Sequence, residues 1–387
     1  MNRTEQRIID WIDKHKEIIF CLIISVIAAQ VRLYGLDFHS GDYDGYLRPW
    51  YDTIKANGGF SGLSQQVGNY SVLYQVCIAV MTYLPIHPLT AYKGLSVLFD
   101  YLLAACAGYI VYDMSDRDKV KAAAGYGCVL MLPSVFFNSA YWAQCDAIYS
   151  FFSLMSVLCV IKKRDLGAIL CAALAFQFKL QSVFLFPFLF IYYIISRRFT
   201  ILYFLLIPLL SVPICLLCGR APFDLLKIYF EQTGQHTGMT LTFPSIWNLI
   251  SDNYDVYGHT AVLVAVAAIG LGILLVMKAK PEFNKSTILN LAIWSVWTCV
   301  MFLPNMHERY AFFLNILVLI AAAVDSKRIG TAVLLEILTL IMYAKLFFGG
   351  TAAYSTPMYL CTAAYLAAYI HFCMRNFPVK RAFQKNE

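Results

Sequence analysis

Apolar stretches recur along the whole chain, many of them long enough to cross a bilayer, which takes roughly 20 residues as helix. Hydrocarbon offers the backbone no hydrogen bonds, so stretches of this kind are helices rather than open strands. Composition agrees. Hydrophobic residues make up 60% of the 387 residues and charged residues 14%, against about 25% charged in an ordinary soluble domain. The expectation is an all-α polytopic membrane protein, with residues 1–387 as a single integral membrane domain and no soluble domain at either end. The net charge of +7 does not indicate a nucleic-acid partner. The basic residues lie in short runs between apolar segments, as in cytoplasmic loops, and not in one patch. Nearly all 12 cysteines sit inside apolar segments, where a thiol behaves as a small hydrophobe. Cys215 and Cys218 have C-x-x-C spacing, but within an apolar helix. The first apolar run, Ile18 to Tyr34, follows a charged N-terminus and reads as a retained signal-anchor.

Charge sets the orientation. Basic runs occur at Arg3 to Lys16, Arg117 to Lys121, Lys162 to Arg164, Arg197 to Arg198, Lys278 to Lys285, Lys327 to Arg328 and Arg375 to Lys385. If all are cytoplasmic, each interval holds an even number of spans. The external turns are then those around Trp142, at Lys179 to Gln181, over Arg220 to Gly258, at Pro304 to Arg309 and at Gly349 to Ser355. The first interval contains three apolar stretches, Ile18 to Tyr34, Ser71 to Leu84 and Tyr92 to Tyr112. Ser71 to Leu84 is short and ends at Pro85 and Pro88, so it is expected to lie at or dip into the outer interface. This leaves roughly 12 spans, both termini cytoplasmic, and two long external segments, 38–89 and 219–258. No internal repeat is visible, which argues against transporters built from two related halves.

Polar residues that apolar folding does not explain fall on the external side. In S-G-D-Y-D-G-Y-L-R-P-W, Asp42 and Asp44 are carboxylates suited to accepting a proton from a hydroxyl or to ligating Mg²⁺ or Mn²⁺; capping the next helix is their bland role. Arg48 is placed to bind phosphate or pair with one of them. In N-S-A-Y-W-A-Q-C-D, Trp142 suits a membrane interface, but Gln144 and Asp146 need another account, a helix cap for Asp146 included. Lys179 and Gln181 occupy a short turn, where a lysine either snorkels or holds phosphate as a point charge. His307, Glu308 and Arg309 are consecutive at the outer end of a span, and three ionisable residues at that depth are costly unless paired or used. Arg309 suits phosphate oxygens, Glu308 can orient it, and His307 can donate or handle a proton. Inside the spans, Asp100, Glu336 and Lys345 are ionisable. Lys93 and Asp100, seven apart on one helix face, are expected to serve as structural pairing partners.

The ordered set Ser40 to Trp50, Trp142-Ala143-Gln144-Cys145-Asp146, Lys179-Leu180-Gln181 and His307-Glu308-Arg309-Tyr310 resembles the GT-C superfamily of membrane glycosyltransferases. More narrowly, it resembles the bacterial branch related to the enzyme that adds the second mannose of the GPI anchor. That branch has W-G-Q-x-D, so Ala143 departs from its glycine, a change expected to be tolerated. The resemblance covers roughly Phe38 to Phe313; the last two spans carry no matching motif. It implies an all-helical membrane domain, an acidic residue and juxtamembrane helices in the first external loop, and a bacterial plasma-membrane location with an extracytoplasmic site. It further implies a hexose donor carried on polyprenyl phosphate (undecaprenyl phosphate in bacteria), a glycan or lipid-linked acceptor, and inversion at the anomeric carbon. Under it Asp42, rather than Asp44, is the general base. Arg309, Lys179 and His307 steady the phosphate, and Gln144, Asp146 and Gln181 bind hydroxyls. Tyr46, Trp50 and Trp142 stack on sugar rings, and Tyr70 and Tyr310 join the substrate-binding set. A divalent cation stays open.

Two other classes fit parts of the pattern. A flippase of lipid-linked sugar shares a basic, aromatic external pocket, but calls for a pseudo-repeat or ionisable residues on both sides. An O-antigen-type polymerase or a membrane acyltransferase is the other; the acyltransferase calls for a histidine-centred site, whereas His307 stands beside an Arg–Glu pair.

Overall fold

The computed structural model describes residues 2–196, 199–233, 235, 237–348 and 357–377. The basic run Arg197 to Arg198, the turn Gly349 to Ser355 and the end of the last basic run, from residue 378, lie outside the described residues. The architecture is all-α. In order, the helices are α1 (Arg3–Leu33), α2 (Arg48–Ala56), α3 (Val72–Thr82), α4 (Pro88–Met114), α5 (Lys119–Leu130), α6 (Pro133–Phe136), α7 (Asp146–Ile161), α8 (Asp165–Phe178), α9 (Phe186–Ile195), α10 (Leu206–Leu209), α11 (Ser211–Leu217), α12 (Asp224–Thr233), α13 (Tyr254–Ala279), α14 (Lys285–Phe302), α15 (Phe312–Val324), α16 (Ile329–Phe348) and α17 (Met358–Asn376). Two short strands, β1 (Thr240–Leu241) and β2 (Met306–His307), pair in parallel.

Helix starts follow local chemistry. Asn2 caps α1 in a capping box with Glu5, Ser71 caps α3, Asp118 accepts from the Val120 and Lys121 amides at α5, and Asn284 caps α14. In each, a side-chain oxygen satisfies an amide that the helix itself leaves free. Pro133 ends α5 and opens α6, and the pair bends by 45° there, because proline breaks the hydrogen-bond ladder.

Among the described residues, three helices are long and apolar enough to cross a membrane: α4, α13 and α14. The bent stretch from α5 to Tyr141 is a fourth if it counts as one span. They differ in position. The apolar window of α14 is 72% buried inside the protein and that of α13 only 17%, so α14 is a core helix and α13 turns Leu263, Val266, Leu271 and Leu274 outward. Helix α3, the stretch expected at the interface, has 11 residues, about 16 Å of rise against the roughly 30 Å of a bilayer core. It packs against α2 and α8 and buries Val72, Tyr74, Ile78 and Met81.

The bundle has two distinct ends. Tyr92, at the start of α4, donates to the Leu47 carbonyl at 2.8 Å. Asp113 lies near the other end of the same helix, roughly 30 Å away along the axis. There Asp113 pairs with Lys162 and, at 3.0 Å, with Lys285. Asp325 pairs with Arg328 and Arg375, and Arg328 also reaches Asn290 on α14. Residues from four of the basic runs thus gather at one end of the bundle.

Lys93 and Asp100 do not pair with each other. Seven residues is about two helical turns, near 10 Å, and each finds a closer partner. Lys93 donates to the carbonyls of Gly35, Leu36 and Phe38, and Asp100 accepts from Arg32 and Ser139. Glu336 accepts from Ser134 and Asn315. Helix α4 begins at Pro88 and α13 at Tyr254, just inside the ends of segments 38–89 and 219–258.

Candidate functional site

At the other end of the bundle is a cavity of about 430 Å³, within the size range of small-molecule sites. Two π-helical turns border it, Tyr43–Leu47 and Phe137–Tyr141. Such turns are rare and favour functional positions. Asp42 immediately precedes the first and Trp142 immediately follows the second.

Asp42 lines the cavity and its side chain is 31% exposed. Trp142 Nε1 donates to its Oδ2 at 2.9 Å and Gln144 Nε2 at 2.6 Å, while Arg309 Nη1 stands 3.7 Å away. All three contacts fall on Oδ2, so Oδ1 is the oxygen left for a ligand. Tyr70 donates from its hydroxyl to Gln144 Oε1 at 3.3 Å. Burial pushes the Tyr70 hydroxyl up to about 12, which keeps it a neutral donor.

Beside Asp42 is a second, deeper cluster. Asp146 is buried, accepts from Asn138 at 2.8 Å and pairs with Lys179. Arg309 Nε lies 3.8 Å from the same carboxylate. Arg309 also pairs with Glu308 at 3.0 Å and stacks over the Trp142 ring at 5.1 Å. Burial pulls the Lys179 and Arg309 proton affinities down, but the facing acids, Asp146 for Lys179 and Glu308 for Arg309, more than offset this and both cations are held firmly charged. For Glu308, burial pushes up, and the hydrogen bond with His307 and the Arg309 charge outweigh it, leaving the carboxyl below its usual range. His307 Nδ1 is 3.7 Å from Glu308. Strand pairing fixes this turn: His307 sits on β2 beside Leu241, and the Asn305 amide donates to the Met239 carbonyl.

Of the residues expected at the site, Asp42, Tyr70, Gln144, Lys179, Gln181, His307, Glu308, Arg309 and Tyr310 line this one cavity. Asp146 lies beneath it, holding Lys179. Asp44 and Arg48 are not brought there. Asp44 pairs with His39 at 3.2 Å and Arg48 with Asp52 at 2.8 Å, all four well exposed. The reason is helical geometry. Residues two apart share a face in a strand and point opposite ways in a helix, and Gly41 to Ala56 is helical throughout.

The structure also adds residues that sequence reasoning passed over. Asn69, Gln232 and Gln235 line the cavity, so segment 219–258 forms part of its wall. Amides in a long polar loop carry no pattern, and only their meeting across more than 160 residues singles them out. Asn138, to which the sequence assigned no role, holds Asp146.

A divalent cation does not fit this donor set. It would find one free carboxylate oxygen on Asp42, with two firmly charged cations close by and Asp44 turned away, where such ions take several oxygens. No family model matches the chain, and no curated protein matches it.

Proposed function

We propose that this protein is an inverting glycosyltransferase of GT-C type that moves a hexose from a polyprenyl-phosphate carrier to an acceptor glycan or lipid. The observation that carries this reading is a carboxylate, Asp42, fixed by two neutral donors, in a cavity that also presents two cations, the buried Lys179 and the half-buried Arg309. In this reading the protein is embedded in a bacterial plasma membrane with roughly 12 crossings, both termini cytoplasmic and the site external. The long apolar helices, the outward apolar face of α13 and the gathering of basic residues away from the cavity support that placement.

The chemistry is a single displacement. The acceptor oxygen attacks the anomeric carbon, its proton passes to Asp42 Oδ1, and the bond from the anomeric carbon to the phosphate oxygen breaks. Polyprenyl phosphate leaves with that electron pair. The donor is a phosphodiester with one charge and the leaving group a monoester with two, so one negative charge develops at the phosphate. Lys179 and Arg309, already charged and held by acids, stabilise it without moving, which is where preorganised electrostatics contributes most. His307 adds a hydrogen bond. Gln144 both orients Asp42 and faces the sugar, and Gln181 lines the same cavity as a further hydroxyl partner.

The test is a transfer assay in proteoliposomes, with synthetic polyprenyl-phosphate hexoses in one arm and nucleotide sugars in the other. Turnover is expected only from the lipid-linked donor. Asp42→Asn is expected to lower it about 10²- to 10⁴-fold, the usual range for a lost general base, with donor binding retained. Full turnover in that variant, or turnover from nucleotide sugar, overturns the assignment. Movement of lipid-linked sugar across the bilayer without transfer assigns a flippase instead.

A further inference from the structure

Asn69, Gln232 and Gln235 form a linked row of amides on the cavity wall. Gln232 Nε2 donates to the Asn69 carbonyl, and Asn69 Nδ2 donates to Gln235 Oε1 at 2.8 Å. Each bond uses one end of a side-chain amide. Asn69 Oδ1, Gln232 Oε1 and Gln235 Nε2 take no part in these two bonds, which leaves both acceptors and donors on the wall of a cavity that all three residues line. Hydroxyl groups both donate and accept, so such a mixed set suits them. Beside the row, Trp50 packs on Tyr70 with ring centroids 5.1 Å apart, and Tyr46 lies 6.2 Å from Trp50 and is 57% exposed. These rings offer apolar faces next to the amides, the combination that a sugar's alternating C–H and O–H surface matches.

Charge distinguishes this wall from the rest of the cavity. Among the described residues that line it, the cations are Lys179, Arg309 and His307 when protonated, and they sit with the acids. The amide row and its rings carry no charge. A phosphate placed there would find amides but no cation to pair with, whereas the hydroxyls of an uncharged sugar find both donors and acceptors.

We propose that Asn69, Gln232 and Gln235, with Tyr46 and Trp50, form the acceptor subsite, and that it takes an uncharged, hexose-containing glycan rather than a phosphate-bearing polyol. This rests on the glycosyltransferase reading above. The row and Asp42 line one cavity, so an acceptor glycan seated on the row can extend a hydroxyl of its next sugar to the base.

The experiment measures binding apart from turnover, on the full chain in detergent. The probes are methyl glycosides of mannobiose, cellobiose and maltose, a glycerol-phosphate trimer, and a short-chain polyprenyl-phosphate hexose, each titrated against wild type and the Gln232→Ala/Gln235→Ala double variant. At least one neutral disaccharide is expected to bind wild type at least tenfold more tightly than the trimer, and to weaken at least tenfold in the double variant, with donor affinity held within twofold. Equal binding of the trimer, unchanged disaccharide affinity in the variant, or a parallel loss of donor affinity overturns the subsite. If the variant loses the disaccharide as expected but wild type shows no transfer, the subsite stands as a saccharide site and the transferase reading falls.

Discussion

At Ala143 the backbone enters the left-handed region, with φ at 62°. The turn between Trp142 and Gln144 requires it, because both side chains must reach the same oxygen of Asp42 from positions two apart. An L-residue with a Cβ pays about 1–2 kcal/mol there. The resemblance to W-G-Q-x-D made alanine look like a small change; the dihedral shows why a glycine belongs at that position. Glycine would give back part of the gain through its freer unfolded chain, about 0.4–1 kcal/mol. Ala143→Gly is therefore expected to stabilise the protein by roughly 0.5–1 kcal/mol net, read as a rise in the thermal midpoint in detergent. A fall would mean that the alanine methyl, which is buried, makes packing contacts worth more than the strain. At this scale much of the site was legible in the sequence. Consecutive ionisable residues such as His307, Glu308 and Arg309 are conspicuous in an apolar chain. The spacing of Asp42 and Asp44 was not informative by itself, since it means one face in a strand and two in a helix.

Among the elements, the connection that sequence gave no hint of is made by Arg220. It follows Gly219, which ends α11 in a left-handed turn with φ at 71°. Its buried guanidinium donates to the carbonyls of Leu63 and Gln65 and to the side-chain oxygens of Gln66 and Gln75, and pairs with Asp224. Gln66 and Gln75 each donate to the Tyr70 carbonyl, at 3.0 and 2.8 Å. Tyr70 then bonds Gln144 and Gln144 bonds Asp42. Nearby, Gly68 leaves room for Trp50, since a Cβ there would come within 2.1 Å of the indole ring. One arginine thus locks segment 38–89 to segment 219–258 and sets the position of the residues behind Asp42. Lysine keeps the charge but lacks the fork. Arg220→Lys is expected to fold, with turnover reduced about tenfold because Tyr70 and Gln144 lose registration. The effect of Asp42→Asn should then be smaller in the Arg220→Lys background than in wild type, since both act on one step. Strictly additive losses would show that Arg220 serves stability alone. A lone arginine after a C-x-x-C helix has no periodicity to mark it, and its four acceptors come from a segment about 150 residues earlier.

For the molecule as a whole, the lengths of the helices around the cavity matter. Helices α7, α8 and α15 have 16, 14 and 13 residues, or about 20–24 Å of rise. All three have an end at the site: α7 begins at Asp146, α8 ends beside Lys179, and α15 begins just after Tyr310. The long helices α4 and α13, with 27 and 26 residues, reach about 40 Å. In the proposed orientation, the short helices therefore end below the outer surface of a bilayer whose apolar core is roughly 30 Å thick. In that orientation the cavity is sunk into the outer leaflet, just beneath the headgroup layer in which a polyprenyl phosphate keeps its phosphate. The alternation of apolar and basic segments allowed a span count, but not this depth, because helix ends at Phe178 and Phe302 are set by turns that build the site and not by a change in hydropathy. Mismatch between short helices and a thick membrane costs a fraction of a kcal/mol per Å. Turnover in proteoliposomes is therefore expected to be highest in lipids with 14- to 16-carbon monounsaturated chains and to fall several-fold with 22-carbon chains, as the site is drawn below the reach of a water-borne acceptor. The dependence should appear in the acceptor KM more than in kcat. Turnover that is flat across chain lengths would place the cavity at the membrane surface instead, with the short helices standing clear of the lipid.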